Sequence, residues 1–268
     1  MALNLIDKIL ENYIKENIPD KEVAVLLSGG ADSLSLAFAS HKLGKKVHAY
    51  NFHLEGNVSY DTRKANIASG TFGWEITNII VPRKNLIEDF KILHKEYDCI
   101  KKTHYECTFP FLYIFPKIKE KYVLSGVAAD GWYGVSKKAM IHYREPKELF
   151  DKFRNDYFSI SNPAGVVQQQ MLSKKYNKVL IHPYLWVNEI KNFFMSYSHK
   201  ELHNGIQKSH IRSAYKDYFS KIGKVKGHLN LQLVSDIDKL FETLMDIKEI
   251  NFNNRKRVMD ICRDWSNK

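Results

Sequence analysis

The residues best suited to chemistry stand together at Leu27-Ser28-Gly29-Gly30-Ala31-Asp32-Ser33. The two glycines permit the positive φ of a tight turn and let a ligand approach bare backbone. Ser28 and Ser33 can donate hydroxyl protons to anionic oxygens, and Asp32 can hold a divalent cation or cap a helix. The segment follows the apolar run KEVAVLL and precedes a stretch with helical spacing, so it reads as a strand-to-helix turn. The first N–H groups of that helix, with the positive end of its dipole, then make residues 28–33 an anion site. No lysine closes the loop as in GxxxxGK[ST], and the spacing is not GxGxxG. A plain glycine turn with an aspartate cap would use the same letters. Its place after a buried strand favours the ligand reading, because open parallel sheets bind ligands at the carboxyl ends of their strands.

The elements that must position this loop follow from apolar periodicity. Leu3, Ile6, Ile9, Leu10 and Ile14 form one face of a helix over 3–17, ended by Pro19 and Asp20. Apolar runs at 21–28, 45–52 and 75–81 read as strands, with helices at 32–43 and 61–73 between them. A further core strand is expected at 122–125. This alternation predicts right-handed βαβ units in an α/β fold, a parallel twisted sheet flanked by helices. Residues 84–120 read as mostly helical, interrupted by Pro110 and Pro116, and 146–218 and 232–265 read as helices rich in Lys, Tyr and Phe. A soft boundary near residue 135 divides an α/β domain (1–135) from a mostly helical C-terminal lobe (136–268) packed on it.

The segment LLSGGADS resembles the SGGxDS signature of the PP-loop ATP pyrophosphatases. That superfamily includes asparagine synthetase, NAD synthetase, GMP synthetase, tRNA lysidine synthetase and several tRNA thiolases. The resemblance implies an adenine nucleotide alpha hydrolase-like fold and the use of ATP with Mg2+. It also implies a loop that cradles the leaving pyrophosphate while the α-phosphate is attacked. Carried over, Leu27, Ser28, Gly29, Gly30, Asp32 and Ser33 would bind the phosphates, and Asn51 and Phe52, ending the second strand, would meet the adenine.

Further segments resemble the asparagine synthetase branch, in the right order. Leu124-Ser125-Gly126-Val127-Ala128-Ala129-Asp130 is similar to LSGxGxDE, which implies nucleotide contact for Ser125 and Gly126 and magnesium ligation for Asp130 alongside Asp32. His182-Pro183-Tyr184-Leu185 resembles PFLD, and Lys208-Ser209-His210-Ile211-Arg212 resembles the KxxLR helix. Lys224-Val225-Lys226-Gly227-His228 resembles the RxKxGF loop, which implies that Lys226 neutralises charge developing on the phosphates, helped by Lys208 and Arg212. A pentavalent transition state needs such cations aimed at its oxygens. The resemblance spans most of residues 1–232.

Departures from that pattern bear on the substrate. Val127 and Gly131 stand where acidic residues are expected, and Trp186 replaces the aspartate of PFLD. Aspartate as the substrate is thereby in doubt. Because Ala2 follows Met1, a counterpart of the branch's glutaminase domain, with its cysteine at position 2, is not expected. The expected partners are therefore a small-molecule acid or amide substrate and an amine or ammonia donor, the latter free or supplied by a separate glutaminase subunit.

Bulk composition narrows the remaining classes. The chain has 268 residues and 44% hydrophobic content, enough for a sizeable core. No apolar run approaches the roughly 18 residues that span a bilayer, and the acidic, amphipathic N-terminus does not read as a signal peptide. With Cys99, Cys107 and Cys262 forming no CxxC or zinc spacing, a cytoplasmic protein without membrane partners is expected. His104, Glu106 and Cys107 lack an evident fourth ligand, and Phe109, Phe111, Tyr113 and Phe115 read as core. The net charge of +11 suits solvated lysine faces and attraction to polyanions equally, so ATP, tRNA and DNA all remain partners to test. Two other readings stay open: a PP-loop enzyme modifying a nucleobase in tRNA or DNA, and a catalytically inactive nucleotide-binding protein.

Overall fold

The strands expected from the apolar runs form one parallel sheet in the computed structural model, which describes residues 5–100, 102–135, 137–159 and 165–223. β1 (Glu22–Leu26), β2 (Lys46–Leu54), β3 (Glu75–Val81), β4 (Tyr122–Ser125) and β5 (Val179–Ile181) lie in the order β3-β2-β1-β4-β5. The chain moves outward from β1 to β3 and then returns to the other side of β1 for β4. The loops after β1 and β4 therefore diverge to opposite sides of the sheet and leave a crevice between them, the usual ligand position in such sheets.

Register brings the loop-bearing ends level. Leu26 of β1 pairs with Tyr50 of β2 on one side and with Ser125 of β4 on the other. Successive strand residues face opposite layers, as the pleat requires. Val23, Val25 and Leu124 pack with Leu10, Phe38, Phe194 and Tyr215, whereas Ala24, Tyr50 and Val123 pack with Phe90, Tyr105, Phe115 and Leu172. Both faces are covered by helices, so the sheet is the middle of three layers.

The helix Ala31–Lys42 leaves β1 through the glycine loop and buries Leu34, Ala37 and Phe38. The helix Tyr60–Phe72 is capped by the Ser59 hydroxyl, which accepts from Thr62 N, and ends at left-handed Gly73. One expectation fails at Val179–Ile181. Residues 146–218 read as helical, but this stretch is a strand that pairs with β4. Three residues are too few to show a period of two, and burial against Tyr122, Val123 and Leu124 decides the conformation. Because β5 comes from beyond residue 135, the sheet draws strands from both sides of that position. Residues 224–268 lie outside the described residues, with the loop at 224–228, Lys226, Cys262 and the helices expected over 232–265.

Candidate active site

A cleft of about 270 Å³ opens at the carboxyl ends of β1, β2 and β4. Leu27, Ser28, Asp32, Ser33, Asn51, Phe52, Ser125 and Gly126 all line it, joined by Asp130 and Val127. Gly29 and Gly30 lie in the same loop and shape it without lining the cleft. Gly29 has φ +71, and a Cβ there would come 2.3 Å from Lys64 Cβ and 2.9 Å from Ala65 N. Only a glycine lets this turn sit against the helix Tyr60–Phe72.

The loop is held by its own serines. Ser28 N donates to Ser33 Oγ (3.2 Å), the two hydroxyls lie 3.1 Å apart, and Gly30 N donates to Ser28 Oγ (3.3 Å). Gly30 is the N-cap of the helix Ala31–Lys42 and supplies no capping side chain. The N–H groups of that first turn are left for an anion. Gly126 closes the other wall: a Cβ there would lie 2.9 Å from Ser33 N and 3.0 Å from the Asp32 carbonyl carbon. Beyond it Val127 N donates to Ser125 Oγ (3.3 Å), and Ala128 takes φ +77 as the chain enters the short helix Ala129–Tyr133 carrying Asp130. Asn51 Nδ2 donates to Leu27 O (2.6 Å), while its buried Oδ1 has no partner.

Charge in the cleft centres on Lys208. Its Nζ donates to Asp32 Oδ2 at 2.5 Å and also to Asp130 Oδ1, so one ammonium joins two carboxylates from the first turns of different helices. Lys208 and Asp32 are nearly enclosed, with side chains 11% and 16% exposed, while Asp130 is 67% exposed at the mouth. Burial pushes the Asp32 carboxyl up to about 6; Lys208 and Arg212 oppose that rise and Asp130 adds to it. Burial pulls the Lys208 ammonium down, but the two carboxylates outweigh it, and the net direction is up. The two results agree physically, since Lys208 has two anions to itself whereas Asp32 shares one cation. Lys208 also takes φ +60, which costs a non-glycine residue roughly 1 kcal/mol. Such strain survives where the surroundings dictate it, often at functional sites. Its backbone N–H donates to His203 Nδ1 (3.2 Å), and His203 Nε2 reaches Tyr133 O (2.7 Å), which assigns the proton to Nε2.

Magnesium fits this arrangement as a shared ion. The two carboxylates already converge on one cation, and Asp32 Oδ1 is buried with no partner. No group of three or more His, Cys, Asp or Glu converges among the described residues. A magnesium ion held by Asp32 and Asp130 would therefore complete its coordination with phosphate oxygens and water, its usual habit.

Other expected residues fall elsewhere. Arg212 donates to Gln207 O (3.0 Å) and lies over the Phe219 ring, so it reaches Asp32 through its field alone. Trp186 stacks edge-on against His182 (5.2 Å) and is about half exposed, away from the cleft lining. The space of an acid at Gly131 is taken by Tyr157, whose Cε1 would lie 2.5 Å from a Cβ. Burial, with Glu106 adding, pushes the Cys107 thiol up to about 12, which leaves it protonated and a poor nucleophile. Leu26, Tyr50 and Phe111 line the cleft without having been singled out for it. Phe111 reads as core from its aromatic neighbours, and nothing in its spacing distinguishes it. His203 gives no sequence signal either.

The cleft thus sets a glycine-and-serine anion loop beside two carboxylates at the switch point of a parallel sheet. The family model for asparagine synthase matches residues 6–219, and the chain belongs to that family. No curated protein matches the chain. Among solved structures, NMN synthetase from Francisella tularensis superposes with TM-score 0.39 at 14% identity, over 85% of this chain and 99% of that one. A protein described as "predicted subunit of tRNA methyltransferase", from Methanocaldococcus jannaschii, superposes with TM-score 0.35 at 16% identity, over 73% of this chain and 87% of that one. Among the described residues no helix is long and apolar enough to cross a membrane.

Proposed function

We infer that this protein activates a carboxylate or carbonyl oxygen with ATP and passes the activated group to an amine, in the manner of asparagine synthetase. The substrate oxygen attacks the α-phosphate, and the bond from that phosphorus to the bridging oxygen breaks. Pyrophosphate leaves, and an amine then displaces AMP. The observation that carries this reading is the convergence of residues 28–33, Ser125, Gly126 and the Asp32–Lys208–Asp130 cluster on one cleft. First-turn N–H groups and the two serine hydroxyls suit the pyrophosphate, and Asn51 Oδ1, aromatic Phe52 and Phe111 suit an adenine. Magnesium bound at Asp32 and Asp130 would supply charge neutralisation on the phosphates. Lys226, by resemblance, would add a cation as charge develops.

The test is product analysis with magnesium, ATP and pooled acids, amides, amines and nucleosides. AMP and pyrophosphate are expected, with ATP–pyrophosphate exchange when the amine is withheld. ADP and phosphate as the only products would overturn the reading, and no turnover with any pool would favour the inactive nucleotide-binding alternative. The net charge of +11 is compatible with one second reading, a nucleobase in tRNA or DNA as acceptor. That reading requires polymer binding to weaken steeply with salt.

A further inference from the structure

Lys208 Nζ occupies the point on which Asp32 and Asp130 converge. An ammonium and a divalent cation held at that point repel each other and compete for the same two negative charges. We propose that Lys208 is the gatekeeper of the divalent cation: it withholds Asp32 and Asp130 from metal alone and releases them when polyphosphate arrives to take its ammonium. This rests on the nucleotide reading above and adds an order of events to it.

Three observations support the gate. First, Lys208 is tied to both carboxylates although they come from the first turns of two helices far apart in the chain. Second, its backbone is held in the left-handed region by the His203 imidazole, so the side chain is aimed by a strained turn and not by a regular helix. Third, the segment before it has room to move. Gly205 takes φ +69, an added Cβ there would meet nothing, and Ile206 is 61% exposed. Phosphates on residues 28–33 would lie beside Asp32 and offer the ammonium a second anionic partner within the same cleft. The Tyr133 ring, 5.5 Å from Nζ, also stays in reach.

The experiment measures Mn2+ binding to the full chain by electron paramagnetic resonance and calorimetry, with and without α,β-methylene-ATP. Wild type should bind Mn2+ alone weakly and bind it much more tightly with the analogue. Lys208→Met should bind Mn2+ alone about tenfold or more tightly than wild type, since a competing unit charge is gone. Adding Asp130→Asn to that variant should remove the gain. Lys208→Arg keeps the cation and should resemble wild type, which separates loss of charge from loss of fold. The proposal is overturned if Lys208→Met, folded by circular dichroism, binds Mn2+ alone no better than wild type. It is equally overturned if the analogue binds wild type and Mn2+ binds no more tightly with it than without it. Should the analogue bind neither protein, the nucleotide reading itself fails, whereas the metal-alone comparison still decides whether lysine and metal compete.

Discussion

Replacing Asp32 by asparagine should make the protein more stable and inactive at once. Ionised Asp32 is nearly enclosed, 16% exposed, and shares its single cation with Asp130. Its carboxyl is raised from 3.8 to about 6 by burial, against the pull of Lys208. A raised acid means that the folded chain binds this proton more tightly than the unfolded chain. The ionised group therefore costs stability above pH 6, and the cost fades as pH falls from about 6 toward 3.8. At pH 7.5 it amounts to about 3 kcal/mol, and at pH 4.5 to about 1 kcal/mol. Asparagine keeps the shape and an acceptor for Lys208, which retains Asp130. Urea unfolding in EDTA without nucleotide should show Asp32→Asn gaining up to about 3 kcal/mol at pH 7.5, with roughly two-thirds of that gain gone at pH 4.5. The same variant should lose ATP-dependent AMP formation, since the site trades stability for charge. A variant less stable than wild type at pH 7.5, or a gain that does not change with pH, would refute the reasoning.

Three further outcomes are expected. His182 is fully buried with both ring nitrogens unpartnered, and burial lowers its pKa from 6.5 to about 3. A lowered base lends stability above pH 6.5 that drains away as pH falls, by about 2 kcal/mol at pH 5, so His182→Leu should remove that much of the difference in urea unfolding between pH 7.5 and pH 5. Gly126→Ala should lower stability by about 1–3 kcal/mol and weaken α,β-methylene-ATP by about tenfold or more in calorimetry, because the new methyl presses on Ser33 N and the Asp32 backbone. Lys226→Ala should leave ATP affinity nearly unchanged while turnover falls by about 10²–10³-fold, with Lys224→Ala as the control; equal, near-wild-type behaviour of the two would mean that the loop carries no chemistry.

Short-range chemistry made much of this protein legible from its letters. The loop at 28–33 is a local object, since two glycines, two serines and an aspartate between an apolar run and a helix suffice to specify it. The strands at 22–26, 46–54 and 122–125 were legible because each is an apolar run buried on both faces, whereas 75–81, at the sheet edge with Ile80 exposed, reads as a strand from its run of β-branched residues. Of the cleft-lining positions, Leu27, Ser28, Asp32 and Ser33 belong to that loop, while Asn51, Phe52, Ser125 and Gly126 were expected from the family resemblance alone. Tertiary structure alone decided the rest. β5 has too short a run to announce itself, and its pairing with β4 makes it a strand. Tyr157 takes the volume at Gly131 because another helix crosses there. Phe111 is core as its letters suggest, and only the packing adds that it also borders the cleft. Lys208 could be matched to a motif, but not its two partners, 176 and 78 residues away. Periodicity and turn chemistry act over a few residues; which ammonium neutralises which carboxylate depends on how distant segments pack, and no local pattern encodes that distance.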